Sequence, residues 1–360
     1  MVSDKSKQKT ITIIGLGAST GGSGKVSSMI ANHYAEMGYQ VNYIALVYQS
    51  VDYYVDERVN YIYFNPDKKK RSPSWEKNLF VYRFLRKNKS DYVISFLTNP
   101  VFFSSIFIDS HFIFSLRNDP NSVNTNTIDR IIRNFEYSRA DCVVFQTPGA
   151  QKYFSNSIQR HSIIIGNPIN STLPYWKDYE HEKSIITTCR LDKQKNIPML
   201  LKAFKLFHDK HKDYSLKICG IGPLKGEMEE LVKQLNLVDA VQFLGFRNDV
   251  AQLVAQSSIF ALTSDFEGLS NSMLEALAIG IPAVCTDCAP GGAALYISDH
   301  HNGILIPVND HIALCNAWEE IIGDKSLEND MSYNAVNIRK VLNQETILKE
   351  WDKVLESCSY

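Results

Sequence analysis

Short apolar runs alternate with amphipathic stretches along most of the chain. The first run, Ile11-Thr12-Ile13-Ile14, reads as a strand. The stretch after it places Val26, Met29, Ile30, Tyr34 and Met37 on one helical face and stops at Gly38. Strands are predicted next at 41–47, 61–63, 92–97, 111–115, 142–145 and 162–165. The rhythm then breaks at Gly166-Asn167-Pro168 and passes a charged stretch, 177–183, that reads as a linker. It restarts at Ile185-Ile186-Thr187-Thr188, followed by a helix beginning near Asn196 with Pro198 in its first turn, where proline is tolerated. Further strands are expected at 215–219, 241–244, 259–262, 282–285 and 303–306. Strand–helix alternation of this kind builds parallel sheets covered by helices. The expected architecture is α/β, with two Rossmann-like doubly wound domains and a cleft between them. Their expected bounds are 1–168 and 184–343, with a linker at 169–183, and a helix at 345–357 follows the second domain.

Composition narrows the class without naming a function. A chain of 360 residues with 44% hydrophobic residues can bury two cores, and a net charge of -1 argues against general nucleic-acid binding. The polar start carries no signal peptide and no apolar run reaches the ~18 residues of a membrane helix, so a soluble, cytoplasmic protein is expected. Seven cysteines, most of them in or beside predicted strands, fit buried free thiols in a reducing compartment. Cys285-Thr286-Asp287-Cys288 has the C-x-x-C spacing but no second pair, which favours packing over redox or zinc chemistry.

The candidate chemistry lies at the ends of predicted strands. Glu267 and Glu275 stand eight positions apart, around the predicted start of a helix with Leu274, Leu277 and Ala278 on its apolar face and Gly280-Ile281-Pro282 as its stop. A helix start offers free N–H groups to an anion, and carboxylates accept hydrogen bonds from hydroxyls. Phosphate plus hydroxyls describes a nucleotide sugar. The alternative for Glu275 is a capping box, Ser272-Met273-Leu274-Glu275, in which the glutamate only serves backbone donors. Arg190 and Lys195 follow the first strand of the second domain, where cations can stabilise a diphosphate leaving group. The loop Gly15–Lys25 fails both the P-loop pattern, with Ser19 and Val26 in the wrong places, and the dinucleotide fingerprint, with Thr20 at the third glycine. What it keeps is flexible backbone opening a helix, able to approach an anion or simply to turn. Gly220-Ile221-Gly222 and Gly245-Phe246 are further strand-end turns that can shape a pocket for a base.

Taken in order, these segments resemble the glycosyltransferase family 4 group, with its GT-B fold, over nearly the whole chain. The resemblance is carried by Gly21-Gly22, Gly166-Asn167-Pro168-Ile169, Arg190-Leu191 with Lys195, Gly220-Ile221-Gly222-Pro223, 241–246, Glu267-x7-Glu275 and 302–307. It implies a retaining transferase in which Glu267 meets the donor sugar's hydroxyls and Glu275 binds the ribose. Arg190 and Lys195 would neutralise the diphosphate, helped by backbone N–H groups of Gly21, Gly22 and of Gly268, Leu269, Ser270 and Asn271. Gly245 and Phe246 would lie near the base. The leaving phosphate would help deprotonate the acceptor. With no Asp-x-Asp triplet, no metal is implied, and no other cofactor. UDP is the donor nucleotide expected from the family, and the helix at 345–357 would cross back onto the first domain. Two departures stand out. Where many members carry a histidine, this chain reads Ser115-Leu116-Arg117-Asn118-Asp119-Pro120, so Arg117 either holds a phosphate or anchors its loop through Asp119. After Asp287 it has Gly291-Gly292-Ala293-Ala294 in place of an acidic residue, leaving the sugar open.

The stretch 64–90 carries nine basic residues against two acidic ones, interleaved with Trp75, Leu79, Phe80, Tyr82, Phe84 and Leu85. Such a segment suits an anionic membrane face, where a polyprenyl-diphosphate-linked glycan acceptor would be found. The alternative is an ordinary helix with its apolar side in the core and its lysines in water. The expectation is therefore a sugar transferase in bacterial polysaccharide assembly, cytoplasmic or peripheral on the inner membrane face. A non-catalytic partner of the same fold and a sugar-nucleotide epimerase or phosphorylase are the alternatives.

Overall fold

The computed structural model describes residues 8–18, 21–47, 53–64, 73–123 and 126–358. It divides into two compact units, Met1–Asn167 with Ile347–Tyr360, and Pro168–Thr346. Ser19 and Thr20 of the glycine loop, and Lys68, Lys69, Lys70 and Arg71 of the basic stretch, lie outside the described residues.

Unit 1 runs β1 (Thr10–Gly15), α1 (Gly22–Glu36), β2 (Gln40–Ala45), β3 (Asn60–Tyr63), α2 (Ser74–Lys87), β4 (Tyr92–Ser95), α3 (Phe102–Phe107), β5 (His111–Ser115), α4 (Thr127–Arg139), β6 (Cys142–Phe145), α5 (Pro148–Lys152), α6 (Asn156–Arg160) and β7 (Ser162–Ile164). Its seven strands pair in parallel in the order β3-β2-β1-β4-β5-β6-β7. Strand order reverses direction between β1 and β4, the switch point where open α/β sheets leave a crevice at their carboxyl ends. The core over β4–β6 is filled by Val81 and Leu85 of α2, Tyr137 of α4, and the strand residues Val93, Phe112, Phe114, Val143 and Phe145. Phe80 and Phe84 pack against that core as well.

One buried group in unit 1 makes stability depend on pH. Glu136 of α4 is fully buried; its Oε2 accepts from the Asn99 amide at 2.8 Å, while Oε1 has no partner. Burial pushes its pKa up to about 8 from 4.5. The folded chain therefore binds more protons than the unfolded one between these two values, and stability falls as pH rises through that window. Glu136→Gln is expected to shrink the drop in melting temperature between pH 5 and pH 8. An unchanged drop, measured by thermal melts at both pH values, would contradict this assignment.

Unit 2 runs β8 (Glu182–Thr188), α7 (Ile197–Lys210), β9 (Ser215–Cys219), α8 (Lys225–Gln234), β10 (Val241–Gly245), α9 (Val250–Ala255), β11 (Ser257–Leu262), α10 (Asn271–Ile279), β12 (Ala283–Thr286), β13 (Ile304–Ile306), α11 (His311–Gly323), α12 (Lys325–Ala335) and α13 (Ile338–Val341). Its six parallel strands order as β10-β9-β8-β11-β12-β13, with the reversal between β8 and β11. Phe204 and Phe207 of α7 and Trp318 of α11 are wholly buried, with Phe207 and Trp318 edge to face at 5.7 Å. α14 (Gln344–Ser357) begins in unit 2 and carries the chain into unit 1, where Trp351 is buried beside Phe96.

The stretch 169–183 is built into unit 2. Ile169 bridges to Asn343, and Trp176 is buried with Nε1 donating to the Ser257 carbonyl at 2.8 Å. The Arg339 guanidinium donates to the carbonyls of Leu173 and Pro174 and lies 3.8 Å from the Tyr175 ring centre. β8 starts at Glu182, inside the charged stretch, because hydrogen bonding in the sheet outlasts the apolar run.

Candidate functional site

The switch point of unit 2 brings the loops after β8 and β11 side by side. That neighbourhood joins Lys195 to Glu267, 72 positions apart in sequence. Lys195 Nζ donates to Glu267 Oε1, and their side chains are only 14% and 13% exposed. Ser264 Oγ donates to the same oxygen at 2.9 Å.

Both loops are held from several directions. Asn196 adopts a left-handed conformation (φ 44°), caps α7 by accepting from the Met199 amide, and donates to Asp265 Oδ1 at 2.6 Å. Thr263 Oγ1 donates to the Lys195 carbonyl at 2.9 Å. Gln194 Nε2 donates to the Phe266 carbonyl at 2.8 Å. Behind them, the Glu267 amide donates to the Ala289 carbonyl and Thr286 Oγ1 to the Ser264 carbonyl. A lysine and a glutamate on two such loops are fixed before any ligand arrives, which saves the cost of ordering them at binding.

The helix after Glu267 starts two residues earlier than the capping-box reading requires. Ser270 is the N-cap of α10, its side chain accepting from the Met273 amide, and Asn271 is the first helical residue. Glu275 is thus the fifth residue of α10, not the third, and the Ser272–Glu275 capping box does not form. Gly268 and Leu269 lead into the cap, so the segment after Glu267 runs into the α10 N-terminus, the end of a helix that attracts anions. The Gly268 carbonyl touches Gly292 so closely that a Cβ on Gly292 would lie 2.0 Å from it.

Arg190 turns away from this pair. Its side chain is 72% exposed and forks onto Asp192 Oδ2 through Nε at 2.6 Å and Nη2 at 2.5 Å. At the ends of β9 and β10, the Gly220 amide donates to the Gly245 carbonyl at 2.8 Å. Gly245 has φ 66°, and Phe246 after it is exposed. A Cβ on Gly220 would come within 1.8 Å of the Cys189 carbonyl, so this turn admits only glycine. The thiols nearby are not nucleophiles: burial pushes Cys189 up to about 12, against the opposing Lys195 charge, and Cys288 up to about 11.

In unit 1, Gly21 is the N-cap of α1 at φ 130°, a conformation that favours glycine, and Gly22 opens the helix. Arg117 follows β5 and does not anchor its loop through Asp119. The Asp119 carboxylate accepts instead from the Asn121 amide and from Ser122 Oγ. Arg117 Nη1 donates to Asn167 Oδ1 at 3.0 Å, an oxygen that also accepts from Gln146 Nε2. The guanidinium lies 5.5 Å from the Phe96 ring centre and 5.6 Å from that of Trp351, and Nε and Nη2 have no partner. Burial pulls its pKa down to about 9.

Sequence reasoning passed over Ser264, Thr263 and Asn196, which support the Lys195–Glu267 pair, and gave Gly292 no role. The available signals were a serine and a threonine closing a buried strand, and an asparagine two positions before a proline.

Known proteins similar to this chain are glycosyltransferases. A family profile described as "Glycosyl transferases group 1" matches residues 175–337. An uncharacterized glycosyltransferase of Haemophilus influenzae is 28% identical over 94% of this chain and 97% of its own. An alpha-1,4-N-acetyl-D-galactosaminyltransferase of Campylobacter jejuni, named for an acceptor on diNAcBac-PP-undecaprenol, is 28% identical over 75% of this chain and 76% of its own. The solved HepE of Anabaena, in complex with UDP and glucose, superposes with a TM-score of 0.78 at 17% identity, covering 97% of this chain and all of that one. Residues 175–337, which hold the Lys195–Glu267 pair, thus match the profile of the group 1 glycosyl transferases, and the chain is a glycosyltransferase of the GT-B fold.

Proposed function

We propose that the protein is a retaining glycosyltransferase of bacterial polysaccharide assembly. It moves a sugar from a nucleotide diphosphate donor, UDP by preference, to a hydroxyl of a glycan carried on a polyprenyl diphosphate. The carrying observation is the Lys195–Glu267 pair, held at the sheet's switch point beside the α10 N-terminus. In this reading Lys195 and Arg190 oppose the charge that builds on the diphosphate as the glycosidic bond breaks. Amides at Gly268–Asn271 take a phosphate oxygen. Glu267, released from Lys195 by the incoming donor, accepts hydrogen bonds from the sugar's hydroxyls, and Glu275 accepts from the ribose. Gly245 and Phe246 border the base. The departing phosphate oxygen takes the acceptor's proton on the face it leaves, which preserves the anomeric configuration. No metal or other cofactor takes part in this scheme.

Support for the donor class comes from the UDP held by HepE, and for the acceptor from the lipid-linked substrate in the Campylobacter enzyme's name. The test is a thermal melt with UDP, GDP, ADP, CMP and dTDP, each with EDTA. UDP alone is expected to stabilise. At a hundred times Kd, mass action adds about 2.7 kcal/mol, which raises the melting temperature of a unit this size by roughly 5–10 °C. A flat response to all five nucleotides would point instead to a non-catalytic relative of the fold.

A further inference from the structure

We propose that the outer face of α2, α3 and α4 is a docking surface for an anionic lipid bilayer. The sequence points to α2 alone, but Phe80, Phe84 and Leu85 of that helix turn into the unit 1 core. Trp75, at its start, does not, and is 62% exposed. The apolar surface continues on the two neighbouring helices. On α3, Phe103 and Phe107 stand one turn apart and both face solvent, Phe107 at 67%. On α4, Ile128 and Ile131 are 70% and 63% exposed, and Phe135, one turn further, is exposed too. Ring contacts join the three helices into one surface. Tyr82 meets Phe107 at 6.3 Å between centroids, and Phe102 bridges Phe103 at 5.8 Å and Phe135 at 5.5 Å.

Large apolar side chains scattered singly over a surface need no partner, whereas a contiguous patch on adjoining helices does. Charge selects which partner. Arg83, Arg86 and Lys87 are exposed on α2, and α3 carries no charge. At the end of α4, Arg139 lies 5.8 Å from the Phe135 ring centre. Cations around an apolar patch match anionic headgroups over hydrocarbon. A second copy docked by twofold symmetry would press the same cations against themselves. No described helix is long and apolar enough to cross a membrane, so contact of this kind is interfacial. The surface is inferred from exposure and charge alone. Its use in bringing the enzyme to its acceptor rests on the lipid-linked acceptor proposed above.

The experiment is flotation of the full chain with vesicles of phosphatidylcholine, with and without phosphatidylglycerol. Wild type is expected to float with the anionic vesicles only. Paired Phe107→Ser and Ile131→Ser should abolish flotation. Paired Arg86→Glu and Lys87→Glu should weaken anionic binding by more than about tenfold. Both variants should melt as wild type does and transfer sugar normally to a short-chain, water-soluble acceptor analogue, since neither touches the donor site. Undiminished flotation of the Phe107/Ile131 variant would overturn the proposal. So would wild-type protein that stays off anionic vesicles, or a wild-type dimer that this variant converts to monomer. Loss of all transfer by wild type with flotation intact would instead sink the acceptor reading and leave the surface standing.

Discussion

Lys195→Ala is expected to lower kcat for sugar transfer by about 10²–10³-fold, the usual loss when one preorganised charge-stabilising donor is removed. The ligand-free geometry says why this cation matters more than Arg190. Lys195 is 14% exposed and already aimed across the β8 and β11 loops, whereas Arg190 is 72% exposed and paired with Asp192. A charge in a partly desolvated site acts on a developing phosphate charge more strongly than one in water. Glu267→Gln keeps the side chain's size and its Ser264 hydrogen bond but removes the charge, and should also reduce kcat. Because the two side chains contact each other, their effects should not multiply: the double variant loses less than the product of the single losses. Steady-state rates with a UDP-sugar decide the matter. Wild-type turnover by Lys195→Ala would remove the pair from the mechanism.

The second large effect concerns Gly292, which contacts no ligand in the proposed scheme. A Cβ there would sit 2.0 Å from the Gly268 carbonyl oxygen and 3.4 Å from Leu269 Cα, so backbone must move to admit it. The segment that would move leads from Glu267 into the Ser270 cap of α10. Gly292→Ala is expected to cost about 2–4 kcal/mol of unit 2 stability and to weaken UDP binding as the α10 start shifts. Gly226 is the internal control, a glycine in α8 whose added Cβ meets nothing within 4 Å. Gly226→Ala should stabilise by up to about 1 kcal/mol, through helix propensity alone. The melting temperatures of the two variants should thus move in opposite directions, while UDP titrations should weaken for Gly292→Ala and stay at the wild-type value for Gly226→Ala. A Gly292→Ala protein that melts and binds UDP like wild type would show that the Gly268 segment yields freely.

Strands and helices were legible because each leaves a local mark. Buried parallel strands such as Ser257–Leu262 are near-continuous apolar runs, and α7 begins after Asn196 with Pro198 in its first turn, as its residues predict. Boundaries were less legible where sheet pairing extends beyond apolar residues, as at Glu182. The start of α10 also depended on context. Ser270 and Ser272 are both acceptable caps by type, and only the path of the chain from Glu267 selects Ser270. Within the helix of 64–90, spacing puts Trp75 on the face opposite Phe84, and packing shows that the Phe84 face is the one that enters the core.

Local patterns along the chain were enough for the two-sheet α/β plan and for the residue types of the candidate site. Periodicity, turn residues and charged strand ends are all written within a few positions of one another. Which of those residues meet depends on the folded arrangement of the strands. Lys195 and Glu267 become neighbours because strand order reverses between β8 and β11. Arg117 finds Asn167 and Trp351 rather than Asp119, and the apolar faces of α3 and α4 join that of α2. Contacts between distant segments follow from sheet order and packing, which no local window of sequence contains.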